Sequence, residues 1–307
     1  MRATDPRRQG AQDWGGGRMM DRRRFLAVAA CFAGSPALAQ RHGWTGRAFG
    51  AEASIELHGP SDVAARALET ARALIAEVEG LFSLYDPRSE LALLNAHGAR
   101  QVPERFMDLM QLADAAYRMT DGLFDPTVQP LWRALVDGGD VMAARARIGW
   151  DQVTLQGREV TLGQGQALTF NGIAQGFATD LVSDMLRSRG FERTLVNIGE
   201  HRGTGRPWRL GVSDPIHGML AMRTIENRAV ATSSPMATPV GSSGHIVHPV
   251  QLPRWSTVSV EADTAAMADA LSTGLVLADL DLVKRVSTTS GVHRTTLVDP
   301  GGDLITF

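Results

Sequence analysis

Apolar and polar positions alternate along this chain at two different periods. Over 53–58 they switch at every residue, which predicts a short strand. Pro60-Ser61-Asp62 then supplies cap-type residues, and Leu68, Ala71, Leu74, Ile75, Val78 and Leu81 recur at helical spacing. A second amphipathic helix is predicted over 103–120, on Phe106, Leu109, Met110, Leu112, Ala116 and Met119, with Asp121-Gly122 as its stop. Gly157 separates two strand-like pieces, 153–155 and 159–162, in a hairpin pattern. Residues 174–189 form a third helical pattern, ended by Gly190. Strand patterns follow at 194–198, 208–212, 221–225 and 230–232. A Ser/Pro/Gly-rich loop is expected over 233–256, then a strand at 257–261, a helix at 264–278 and strands near 295–298 and 304–306. Strands come in runs broken by helices, without a regular βαβ beat. The expected class is α+β, with mixed, mostly antiparallel sheets and packed helices. No linker divides 40–307, so one two-lobed domain is expected there.

Residues 1–39 have a different character. Residues 1–18 are polar and rich in Gly and Arg. Asp21-Arg22-Arg23-Arg24-Phe25-Leu26 has the order of a twin-arginine export signal, an apolar run reaches Gly34, and Ala37-Leu38-Ala39 offers a small-x-small cleavage site before Gln40. The apolar run is too short to span a bilayer as a helix. Val28-Ala29-Ala30-Cys31 looks like a lipoprotein box, but apolar residues continue beyond the cysteine. The expectation is export to the periplasm by the twin-arginine route, which carries folded proteins.

Composition narrows the chemistry. Of 307 residues, 44% are apolar and 21% charged, which excludes a disordered, collagen-like or coiled-coil chain. The first forty residues hold seven Arg and three acids. The remainder keeps 24 basic and 30 acidic residues, a charge of −6, with no basic patch for nucleic acid. A single cysteine excludes an internal disulfide and a cysteine-based zinc site, and Lys284 is the only lysine.

Five spots carry polar residues that a fold alone does not require. Residues 82–91 follow a helix and hold Ser83, Tyr85, Asp86, Arg88, Ser89 and Glu90, with Asn95 beyond. They suit either a binding turn or a capped connection. In Asp121-Gly122-Leu123-Phe124-Asp125-Pro126-Thr127, a proline fixes a turn that presents a carboxylate and a hydroxyl. Such a turn can hold a ribose or pyrophosphate, or be a plain Asx turn. Residues 169–180 put Gly172 and Gly176 at a helix start, where free N–H groups favour an anion, although close helix contact explains glycine equally well. Asp269 and Thr273 stand four apart on a helix and share a face. Hard oxygens at that spacing suit Mg²⁺ beside substrate phosphates, and a solvated surface acid is the plain alternative. His245-Ile246-Val247-His248-Pro249, with Asp263 nearby, suits a transition metal, a general base or an ordinary polar loop.

Taken in order, these spots resemble the ApbE family, the FAD:protein FMN transferases, over roughly residues 44–306. Phe49-Gly50-Ala51 resembles the family's Met-Gly-Thr. Ser83, Tyr85, Ser89, Glu90 and Leu91 match its Ser-x-Tyr-x-x-x-Ser-Glu-Leu. Residues 122–128 match Gly-x-Phe-Asp-Pro-Thr-Val, and 149–155 are similar to Gly-Tyr-x-x-Val-x-Leu. Residues 172–180 are similar to Gly-Ile-Ala-Lys-Gly-Tyr-Ala-x-Asp, 245–249 to His-Ile-x-Asp-Pro, and 268–273 to Ala-Asp-Ala-x-x-Thr. The chain departs at Thr169 (an Asp in the family), Gln175 (Lys or Glu), His248 (Asp) and the single Gly199 before Glu200-His201-Arg202 (a double Gly). It departs also at Ser233-Ser234-Pro235-Met236 (a Ser-Gly-x-Tyr turn).

The resemblance implies FAD as substrate and Mg²⁺ as metal. It implies transfer of FMN to a Thr or Ser hydroxyl of an exported or membrane electron-transfer protein, a subunit of a respiratory or redox complex, with AMP released. The membrane is involved only through that acceptor. By resemblance, His245 is the catalytic base. Phe49, Tyr85, Phe124, Asp125, Thr127, Thr169, Gln175 and Ile246 meet the flavin nucleotide, and Gly172 (by its carbonyl), Asp269, Ser272 and Thr273 hold the metal. An exported FAD-binding protein without transfer, or a Mg²⁺-dependent FAD pyrophosphatase, fits the same residues.

Overall fold

The first strand begins at the first residue the structure describes in regular geometry, and its polar sequence gives no hint of it. In the computed structural model, which describes residues 40–240 and 244–307, β1 (Arg41–Ala48) folds back on β2 (Ala51–His58) through a turn at Phe49 and Gly50, both with positive φ. The periodic segments follow: α1 (Ser61–Phe82), α2 (Glu90–His97), β3 (Ala99–Gln101), α3 (Glu104–Met119), α4 (Gln129–Asp137) and α5 (Val141–Arg145). The short hairpin β4 (Thr154–Gln156) and β5 (Glu159–Thr161) leads to α6 (Ala174–Ser188). Then come β6 (Thr194–Asn197), β7 (His201–Thr204), β8 (Trp208–Asp214), β9 (Gly218–Ile225) and β10 (Arg228–Ser233). The chain closes with β11 (Thr257–Ala262), α7 (Ala265–Leu275), α8 (Leu280–Ser287), β12 (Val292–Val298) and β13 (Leu304–Thr306).

Eight strands form one sheet in the order β1-β2-β6-β7-β10-β11-β12-β13. Two small sheets, β3-β5-β4 and β8-β9, stand apart, and every strand pair described is antiparallel. Two apolar clusters fill the space between the large sheet and the helices. The first centres on the rings of Phe82, Phe106, Phe170 and Phe177, 5.0–6.2 Å apart, with Ile55 and Val196 from the sheet. The second joins Val258, Val260 and Leu297 of the sheet to Leu271, Leu275 and Val283 of α7 and α8. The two clusters meet where α6 crosses α7. A Cβ on Gly176 would lie 2.3 Å from the Ala265 carbonyl oxygen, so only glycine permits that approach. Asp180 fixes the same crossing from below, accepting the N–H groups of Ala265 and Ala266 at 2.9 Å each and Arg202 Nη1 at 2.8 Å.

The α+β expectation holds, and the ends of α3, α6 and α7 lie within three residues of the sequence limits. The export signal, its cleavage site and Cys31 lie outside the described residues. Among the described residues no helix is long and apolar enough to cross a membrane.

Candidate functional site

The crossing of α6 and α7 gathers oxygens. Asp269 lies one turn into α7, and its Oδ2 accepts the Gly176 N–H at 3.2 Å. Four residues on, Thr273 meets the loop before α6: a Cβ on Gly172 would stand 2.8 Å from Thr273 Oγ1. The end of β10 closes the third side, where Ser233 Oγ lies 2.7 Å from Ser272 Oγ and 3.1 Å from Thr273 Oγ1. Gly172, Asp269 and Thr273, chosen from sequence as one metal set, therefore do come together. Ser272 is different. It is fully enclosed, its hydroxyl donates to the Asp269 carbonyl at 3.0 Å, and its remaining capacity meets Ser233. That hydroxyl serves the helix rather than an open seat.

Asp269 is also not the solvated helix acid that the plain alternative described. It is only 4% exposed, and burial pushes its carboxyl up to about 7. A helix that is apolar all round is a buried helix, and Ala265, Ala266, Ala268, Ala270 and Leu271 already say so.

A second acid adjoins it. Glu200 precedes β7 and is 9% exposed, with Oε2 accepting the Thr232 N–H at 3.2 Å. Burial, and then the Asp269 charge, hold its carboxyl well above the ordinary range. Neither acid has a cationic partner among the described residues. On the other face of β7, burial pushes His201 down to about 4, so this imidazole is neutral at physiological pH.

His245 emerges from the loop after β10. Its Nδ1 lies 2.9 Å from the Pro235 carbonyl, and its backbone N–H donates to the same oxygen at 3.1 Å. A carbonyl can only accept, so Nδ1 carries the proton and Nε2 keeps its lone pair. Burial lowers the imidazole's affinity for a second proton, with the Pro235 and Thr238 carbonyls opposing it in part. The result is a neutral base of fixed tautomer. Ile246, expected against the nucleotide, is 8% exposed and packs into the second apolar cluster, where it anchors the loop. His248 uses Nδ1 to accept the N–H groups of Gln251 at 2.9 Å and Val250 at 3.2 Å, the work of an Asx-type carboxylate. Asp263 is bonded to His293 at 2.6 Å. The His245, His248 and Asp263 metal set is thus not assembled.

The remaining sequence choices fall in two groups. Asp125 Oδ1 accepts both the N–H and the hydroxyl of Thr127, at 2.8 and 2.6 Å, and Thr127 Oγ1 in turn accepts the Gly149 N–H at 2.9 Å. The Thr127 hydroxyl is therefore engaged within the protein on both sides, and Phe124 is a core side chain. Thr169 donates its N–H to the Pro126 carbonyl, which ties this turn to the α6 loop. Gln175 lies against Gly199, where a Cβ would be 2.4 Å from its Nε2. Phe49 stands at positive φ with its N–H on Glu79, and Tyr85 is 64% exposed in the turn before α2. Sequence reasoning noted Glu200, His201 and Ser233 only as departures from the family pattern and did not choose them as site residues. Their one sequence signal is a run of charged and polar residues where a glycine-rich turn was expected.

A model of the ApbE family matches residues 49–295. A relative from Vibrio cholerae named FAD:protein FMN transferase is 27% identical over 236 residues, 66% of this chain and 71% of that protein. One from Klebsiella pneumoniae with the same name is 29% identical over 178 residues, 52% of this chain and 56% of that protein. The solved structure described as the flavin transferase ApbE from Vibrio cholerae superposes with a TM-score of 0.76 at 23% identity, over 88% of this chain and 97% of that one. The matched span begins at the turn after β1, ends inside β12 and takes in every element of the site, and the chain belongs to the ApbE family.

Proposed function

We propose that this protein is an FAD:protein FMN transferase, exported by the twin-arginine route and active in the periplasm on a Thr or Ser hydroxyl of an electron-transfer protein. The observation that carries the reading is the convergence of Gly172, Asp269 and Thr273, with His245 held on the Pro235 carbonyl two residues past Ser233, which closes the seat. The family model and the names of the relatives support it.

The donor set fits a hard divalent cation. Asp269 offers a carboxylate oxygen without a hydrogen-bond partner among the described residues, beside the Thr273 hydroxyl and a residue, Gly172, that leaves no room for a side chain. Asp269, Thr273 and the Gly172 carbonyl would hold Mg²⁺, which when bound neutralises charge on the pyrophosphate. The protein's own residues do the rest. Little of the α6 start is open to the pyrophosphate, since the N–H groups of Ala174, Gly176 and Phe177 go to the Phe170 carbonyl, Asp269 and the Ile173 carbonyl. His245 Nε2 takes the proton of the acceptor hydroxyl as its oxygen bonds to the FMN phosphorus. The bond from that phosphorus to the bridging oxygen breaks, and AMP leaves with the electron pair. The Pro235 carbonyl steadies the imidazolium through the Nδ1 hydrogen bond.

The test mixes the mature protein, FAD, Mg²⁺ and candidate acceptor proteins. Fluorescent acceptor on a denaturing gel, with AMP released, is the expected result. Free FMN and AMP without labelled acceptor would make the protein a pyrophosphatase, and intact FAD a binding protein.

A further inference from the structure

One aspartate outside the site carries more hydrogen bonds than its own turn requires. Asp214 ends β8, in a small sheet, and is 2% exposed. Its Oδ1 closes the turn into β9, accepting the N–H groups of Ile216 at 2.7 Å and His217 at 2.9 Å. That half is an ordinary Asx turn. Its Oδ2 reaches across to the large sheet, accepting the hydroxyls of Ser256 and Thr257 at 2.6 Å each. Burial pushes the carboxyl up, but these four donors outweigh it and hold it below the ordinary range, so it stays an anion.

Thr257 passes the contact on. Its Oγ1 lies 2.6 Å from Ser234 Oγ, and Ser234 and Thr257 stand opposite each other just beyond the last β10–β11 pair, Ser233 with Val258. Both side chains are buried. An ionised carboxylate can only accept, so Thr257 gives its one proton to Asp214, and Ser234 donates to Thr257. The hydroxyls therefore run in one direction, from Ser234 through Thr257 to Asp214.

Ser234 is followed by Pro235, whose carbonyl holds His245 by both Nδ1 and the backbone N–H. Little freedom separates that carbonyl from Ser234. The proline ring fixes φ, and the Ser234 carbonyl accepts the Ala237 N–H at 2.9 Å. Gly244, at φ +76°, presses so closely that a Cβ would lie 2.3 Å from the Pro235 oxygen. A shift of Ser234 moves the partner that sets the His245 tautomer.

We propose that Asp214 is a positioning residue for the catalytic base, acting through Thr257 and Ser234 to hold the Pro235 carbonyl against His245. The inference rests on the transferase reading for the role of His245, while the placement of the ring is read without it. It also gives the β8–β9 hairpin, which stands apart from the large sheet, a direct connection to the site.

The experiment follows the His245 ring by two-bond ¹H–¹⁵N spectra at neutral pH, assigned by the signals lost in His245→Ala. Transfer kinetics and FAD titrations run beside it on Asp214→Asn, Thr257→Val, Ser234→Ala and Thr257→Ser. Wild type should show the Nδ1–H tautomer alone. In Asp214→Asn, Thr257→Val and Ser234→Ala the ring should become a mixture of tautomers. Transfer kcat should fall by up to about 10²-fold, with FAD affinity within a few-fold of wild type. Thr257→Ser, which keeps the hydroxyl, should restore both. Ser234→Ala leaves the Asp214–Thr257 bond and the hairpin turn intact, so it carries the test if the other two variants do not fold. An unchanged His245 spectrum in Ser234→Ala, or a fall in kcat without a change in that spectrum, overturns the proposal. FAD binding that weakens in step with kcat also overturns it, in favour of a part in the nucleotide site. If wild type transfers no FMN while the variants still mix the tautomers, the relay to His245 holds and the transferase reading falls.

Discussion

Asp125 and Asp269 are both shielded aspartates with a threonine close behind, the first partly and the second almost fully buried, and the fold uses them differently. Asp125 accepts from both donors of Thr127, and Thr127 accepts from Gly149, so the carboxylate completes a closed turn. Burial raises its pKa, and hydrogen bonds from Thr127 and Trp150 pull it back. Asp269 receives one N–H, and its threonine looks away to Ser233. Burial raises its pKa, the Gly176 N–H opposes that rise, and the Asp180 charge adds a smaller push upward. Asp125 takes donors from Thr127 and Trp150 and builds structure, whereas Asp269 takes a single N–H and keeps more accepting capacity for chemistry.

The largest effect is expected at Asp269. Asp269→Asn should remove Mg²⁺-dependent transfer altogether while the protein stays folded, by circular dichroism and by its unfolding temperature in EDTA. Full activity at ordinary Mg²⁺ would break the contrast outright. His245→Ala comes next, with transfer falling about 10²–10⁴-fold and FAD affinity nearly unchanged by flavin fluorescence. Because burial lowers the His245 pKa, the neutral base should persist to lower pH than a free imidazole, and transfer should decline only below that range.

His201 sharpens the comparison on the stability side. Its folded pKa of about 4 lies below the unfolded 6.5, so the unfolded chain takes the proton first. Stability is full above pH 6.5 and falls by about 3 kcal/mol as pH drops toward 4. Asp269 has the opposite sign: its raised pKa stabilises at low pH, and that contribution is lost as pH rises through about 7. Urea unfolding of wild type and His201→Gln in EDTA at pH 7 and 4.5 gives the His201 slope by difference, since Glu200, Asp269 and His245 titrate alike in both. The smallest effect belongs to the satisfied turn. Thr127→Val leaves the Gly149 N–H unpaired and removes one of two donors from Asp125 Oδ1, and should cost about 1–3 kcal/mol of stability. Loss of transfer out of proportion to that cost would assign Thr127 a direct part in binding.

The helices of this fold were legible because their apolar positions recur every three or four residues between clear stops. Pro103 and Asp121-Gly122 bracket α3 to within a residue at each end. β1 was not legible, since Arg41, His42, Trp44 and Arg47 make no apolar face and the strand exists through its pairing with β2. The same division runs through the site. Asp269 and Thr273 share a helix face by spacing alone. The seat's other wall comes from a distant strand: Ser233 is brought in by the pairing of β10 with β11. Long-range register of this kind leaves no local pattern in a single sequence.

The glycine at the crossing of α6 and α7 sets a tolerance as well as a contact. With the Gly176 backbone pressed on the Ala265 carbonyl, and Asp180 holding both helices from the other side, two walls of the seat are main chain rather than mobile side chains. Such walls do not breathe by the few tenths of an ångström that separate Mg–O distances of about 2.1 Å from Ca–O distances of about 2.4 Å. On the proposed reading, a seat walled this way would favour the smaller cation, so Ca²⁺ should replace Mg²⁺ poorly in FAD binding.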